Sequence, residues 1–151
     1  MPKIKKLTVT WSGLVPTFAK HLREWTPPKL PTEANYRDNL LNFLRESVPN
    51  DAKVEKEFRH HGTTLDLWVG WKGVVSIDEL AFELKVDLKK KAQYDRLVGQ
   101  IEGVNPSKNK LLLVLIGDTD PALLGRLREP YARHIDSPVE ITMAIVEVKP
   151  Q

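Results

Sequence analysis

The chain has 151 residues, enough for a core that needs no disulfide or metal staple, and its 23 Lys and Arg against 20 Asp and Glu leave a formal charge of +3. That balance permits an anionic partner such as nucleic acid without requiring one. The absence of cysteine excludes disulfides, thiolate-held zinc, iron–sulfur clusters and thiol nucleophiles in this chain. No apolar run approaches the roughly 20 residues of a membrane span, and Met1-Pro-Lys-Ile-Lys-Lys lacks the apolar centre of a secretory signal. A cytoplasmic protein with no membrane partner is the expectation.

Residues 1–31 read as an accessory segment. Leu7, Val9 and Trp11 alternate as in a short strand that Gly13 breaks, and Phe18, Leu22 and Trp25 recur at helical spacing. Pro27-Pro28-Lys29-Leu30-Pro31 then forms a stiff connector. The domain proper is expected over 32–151. Thr32 is a natural N-cap for a helix over 33–48, which Pro49-Asn50-Asp51 ends. Three strands follow, over 53–59, 63–71 and 74–87. They are joined by a turn at His60-His61-Gly62 and another from Gly70 to Gly73, with a further turn near Asp78-Glu79. In the second strand Leu65, Leu67 and Val69 are expected on one face. Residues 92–104 carry an apolar helical stripe of Tyr94, Leu97, Val98, Ile101 and Val104. Leu111–Ile116 is uniformly apolar, as in a strand covered on both faces. Asp120-Pro121 opens a helix to about 135 that Pro130 kinks or divides, and Val139–Val148 is the last strand. The order implies an α/β fold with a central mixed sheet flanked by helices.

The chemistry gathers in the second and third strands. Asp66 alternates with the apolar positions of Thr64-Leu65-Asp66-Leu67-Trp68, and Glu83 and Lys85 lie two positions apart, so they share a side. If the two strands pair antiparallel, Asp66 lies beside Glu83. Two carboxylates and an ammonium then converge. Hard oxygen donors suit Mg²⁺ or Mn²⁺ rather than zinc, and a metal so held polarises a phosphodiester and acidifies a bound water. The plain alternative is a solvated sheet face carrying cross-strand charge pairs.

With these residues in place, the chain resembles the PD-(D/E)xK nuclease superfamily over about residues 32–118. This is the restriction-endonuclease-like fold, with an αβββαβ core. Thr64-Leu65-Asp66 stands where the family has Pro-Asp, with leucine in place of the proline, and Glu83-Leu84-Lys85 matches (D/E)-x-K. The resemblance implies Asp66 and Glu83 as metal ligands, the Leu84 carbonyl as a third, and Lys85 as the catalytic lysine. It also implies Gln100, 15 residues after Lys85, as a site-supporting glutamine; the tyrosine that often follows four residues on is Val104 here. The family often adds an acid from the first helix. Glu33 falls within the arc of Tyr36, Leu40, Phe43 and Leu44, whereas Asp38 falls opposite, so Glu33 is the preferred fourth metal ligand.

Among other residues, Lys89, Lys90 and Lys91 form a patch that could meet phosphates. His60 and His61 close a strand, and Trp11, Trp25, Trp68 and Trp71 could stack bases. The expectation is a Mg²⁺- or Mn²⁺-dependent endonuclease acting on DNA, with RNA as a variant substrate and a homodimer as the form that cuts both strands of a duplex. The competing expectation is a catalytically inactive nuclease-fold protein that binds nucleic acid or serves as a structural module.

Overall fold

The computed structural model describes residues 13–49, 51–72 and 77–151. The strand expected at Leu7–Trp11 and the position of Gly73 lie outside them. Gly13, with a φ of 95°, precedes α1 (Leu14–Leu22). In front of α2 (Glu33–Ser47), Thr32 is extended and its hydroxyl accepts the Asn35 N–H at 3.1 Å, so the expected cap forms. β1 (Lys53–His60) and β2 (Thr63–Lys72) are joined by two residues, His61 (φ 50°) and Gly62 (φ 82°). Positive φ at both positions is the backbone that joins antiparallel strands with the least splay.

β2 runs antiparallel to β3 (Ile77–Val86), which continues through α3 (Lys91–Val104) to β4 (Leu111–Ile116), and through α4 (Pro121–Ile135) to β5 (Met143–Val148). The sheet order is β1-β2-β3-β4-β5. The first three strands pair antiparallel, and β3, β4 and β5 pair parallel. Every residue of β4 is buried, because helices cover both faces. One face packs Leu67, Leu80, Phe82, Leu84 and Val114 against α1 and α2. The other packs Ala81, Leu113 and Leu115 against α3 and α4.

Several expectations need correction. Gly70 is not in a turn: it is a buried strand residue paired with Lys53 and Glu79, and the indole of Trp68 occupies the space a Cβ would take. The glycine serves packing. Nor does the chain turn near Asp78-Glu79, since the β2–β3 ladder passes through both positions; the expected start of this strand at 74 lies outside the described residues. Leu65 does not share a face with Leu67 and Val69. It packs with the α3 side while they pack with the α2 side. The change of face coincides with an irregularity in the partner strand, where Glu57 has a φ of 52° and the β1–β2 ladder skips the Glu57–Asp66 position. β5 starts at Met143 rather than 139, because the Ser137 hydroxyl accepts the Val139 and Glu140 N–H groups in a loop through Pro138. Pro130 does not divide α4. The carbonyl it leaves without an N–H partner, that of Arg126, accepts the Tyr94 hydroxyl at 3.2 Å instead.

Candidate metal and phosphodiester site

The β2–β3 ladder runs from Leu67↔Phe82 to Lys72↔Ile77, and one step beyond Leu67↔Phe82 the same register sets Asp66 against Glu83. There the strands part. The Asp66 side chain turns into the gap, and its Oδ2 accepts the Leu84 backbone N–H at 2.8 Å. An N–H that would otherwise serve the ladder now holds a carboxylate at the sheet's fork. Glu83 lies alongside, in contact with both the carboxyl and the backbone N–H of Asp66.

Glu83 is 1% exposed and Lys85 8%, extreme values for charged residues. Burial first, and then the Asp66 carboxylate beside it, push the Glu83 carboxyl up to about 9. Two carboxylates this close do not both ionise readily without a cation. Glu33, in the first turn of α2, reaches the same place. Its Oε2 is 3.9 Å from Lys85 Nζ, and its carboxyl is raised by burial against the pull of Lys85. One oxygen each of Glu33 and Glu83 is buried with no hydrogen-bond partner. Such acceptors are rare in native interiors unless a water or ion serves them.

Glu33, Ala34, Arg37, Asp66 and Leu84 line a cleft of about 170 Å³. Arg37 was not found by sequence reasoning. It sits one turn after Glu33 on α2, and its guanidinium is held at 2.9 Å by the carboxylate of Glu57, the residue with the left-handed backbone. The signal available in sequence was its i, i+4 spacing from Glu33; its contact with Glu57 depends on a backbone angle that sequence does not display. Asp38, the rejected first-helix acid, pairs with Lys56 at 3.1 Å and lies outside the cleft lining.

The structure thus brings Asp66, Glu83, Leu84, Lys85 and Glu33 together. Gln100 is on α3, half-buried, with its Oε1 enclosed and unpartnered among the described residues, and it makes no hydrogen bond to the carboxylates. Neighbouring Gln93 instead caps α3 by accepting the Lys89 and Lys90 N–H groups. Of the three lysines, Lys89 lies 3.5 Å from Asp118 and Lys91 2.7 Å from Asp95. These exposed pairs are weak, and Lys90 has no acidic partner among the described residues. Among the described residues no group of three or more His, Asp or Glu side chains is spaced to hold a metal ion as they stand. The donor set nonetheless fits a hard divalent ion, being all oxygen with two buried acceptors unserved. Comparison with protein-family models, curated proteins and solved structures gave no match. Among the described residues no helix is long and apolar enough to cross a membrane.

Proposed function

We propose that this protein is a metal-dependent nuclease hydrolysing phosphodiester bonds in DNA, on a restriction-endonuclease-like core spanning α2 to β4. The observation that carries the reading is the meeting of Asp66 and buried Glu83 where β2 and β3 part, with Lys85 on the same strand as Glu83. Asp66, Glu83 and the Leu84 carbonyl would hold Mg²⁺ or Mn²⁺, with Glu33 as a further ligand. When bound, such an ion polarises the phosphoryl group and lowers the pKa of a water. Asp66 is held for this work by the Leu84 N–H, and Glu83 by the strand that buries it. Lys85 donates to the attacking water or to the charge growing on phosphorus, and Arg37 offers its planar fork to a phosphate oxygen at the cleft wall. As the water oxygen bonds to phosphorus, the bond to one sugar oxygen breaks. By the resemblance Gln100 would support the site from α3, where its enclosed Oε1 has no partner, and Lys90 would add charge along the backbone path.

The experiment is a cleavage panel of supercoiled, linear, branched and single-stranded DNA, with an RNA arm, in Mg²⁺ or Mn²⁺. Cleavage is expected, reduced at least about 100-fold by Asp66→Ala and by Glu83→Ala. Cleavage that neither substitution changes would overturn the assignment. Calorimetric titration with Mn²⁺ separates an enzyme from a module without turnover, which need show no carboxylate-dependent binding.

A further inference from the structure

A second cavity lies on the α3 side of the sheet and shares no lining residue with the acidic cleft. It encloses about 700 Å³, within the size range of small-molecule sites. Its walls come from the β1–β2 turn (His60, His61), the strands (Trp68, Glu79) and the loop after α3 (Lys108, Lys110).

The floor is aromatic and held in place. Trp68 stacks on Phe58 with ring centroids 4.2 Å apart and 9° between planes. The Trp68 Nε1 donor is enclosed by protein and has no partner among the described residues, so this N–H reports on the packing of the floor. At the rim, His61 stands edge-on to His60 at 4.1 Å, and His60 Nε2 lies 3.4 Å from a Glu79 carboxylate oxygen. Lys110 is 3.4 Å from Glu140. Lys108 is exposed and has no acidic partner among the described residues.

Each part excludes some occupants. A purely apolar ligand would cover the His60–Glu79 and Lys110–Glu140 pairs and use neither the Lys108 charge nor the His61 ring nitrogens. Inorganic phosphate would satisfy the cations and leave the His61 ring face unused. A base with an attached sugar phosphate uses the rim groups together: the exposed His61 ring for stacking, cations for phosphate, and the Glu79 carboxylate as acceptor for an exocyclic amine or a ribose hydroxyl. We propose that this cavity binds a nucleoside phosphate, either a free nucleotide or one unit of a strand. Leu65 lines this cavity and Asp66 the cleft, so consecutive residues of β2 would meet one strand at two places.

The test uses the full chain in EDTA, where cleavage plays no part, with adenosine 5′-monophosphate and a short single-stranded oligonucleotide as separate probes. Calorimetry gives affinity, and the indole N–H resonance of Trp68, assigned with Trp68→Phe, reports the floor. Saturable binding is expected, with a shift of that resonance and about ten-fold weaker affinity in Lys108→Glu. Similar affinities for the two probes identify the free nucleotide as occupant; a strand bound at least about ten-fold tighter identifies the strand. Failure of both probes to bind, or binding unchanged in both Lys108→Glu and His61→Ala, overturns the proposal. Both altered residues are exposed, and an unchanged melting temperature confirms that the variants fold. Asp66→Asn keeps this binding while abolishing cleavage, so the two proposals stand or fall separately.

Discussion

A carboxyl group folded into a sheet beside a second carboxylate keeps its proton far above its ordinary range, and for Glu83 titration moves from 4.5 to about 9. Between those values the native chain holds a proton that the unfolded chain has released. Stability therefore falls as pH rises through that window, by at most about 1.4 kcal/mol per pH unit. The raised carboxyl of Glu33 adds a contribution of the same sign. In thermal unfolding with EDTA, the melting temperature is expected to fall between pH 5 and pH 9. Glu83→Gln keeps the shape without titrating, so it should flatten the slope and raise stability at the alkaline end; Mn²⁺ should do the same for the unaltered protein. Parallel slopes for the two proteins would refute the account. Glu83 and Lys85 were legible in sequence because strand alternation is a local rule, whereas alternation breaks beside Asp66, where Leu65 and Leu67 pack on opposite faces. Arg37 was not legible, because its place depends on Glu57 and a positive φ that residue type does not announce.

At the scale of elements, the strongest signals were those in which sequence chemistry and backbone agree. The Thr32 and Asp120 caps and the all-apolar β4 formed where they were read, and the turn read at His60-His61-Gly62 is made by its last two residues, with His60 ending β1. The misreadings involve residues whose role is set by a neighbour elsewhere in the chain. Gly70 is a glycine because an indole lies over it, and Pro130 is tolerated within α4 because Tyr94 of α3 serves the carbonyl it abandons. The Arg126 guanidinium also lies over the Tyr94 ring, 5.1 Å from its centroid. Tyr94→Phe should leave that carbonyl without its donor and cost about 1 kcal/mol. In a Pro130→Ala background the helix recovers its own N–H, and Tyr94→Phe should then be nearly neutral. A double-mutant cycle by denaturant unfolding measures the difference. A coupling energy near zero would mean that the hydroxyl plays no part in accommodating the proline.

Over the whole molecule, β3 is the strand shared by the antiparallel and parallel halves, and the candidate site lies at its end where β2 departs. The connector Pro27–Pro31 made residues 1–31 read as separable, because composition displays a stiff segment but not what the helix before it touches. In the structure Val15, Phe18 and Leu22 of α1 are fully buried in the core shared with α2 and the sheet. Phe18 meets Phe82, the residue before Glu83, edge to face at 5.9 Å and 77°. The connector is itself tied to the last residue, with Lys29 donating to the Gln151 carbonyl and Gln151 to that of Pro27. If α1 is an integral layer, Phe18→Ala opens a cavity in the common core and costs about 3–5 kcal/mol. Urea unfolding should show this as one cooperative transition with a lowered midpoint and an unchanged slope. An appended segment would give a different result: a loss below about 1 kcal/mol, or a separate early transition, with the 32–151 unit unfolding as before. The slope matters as much as the midpoint, because a substitution that merely detached α1 would reduce the surface exposed in the main transition.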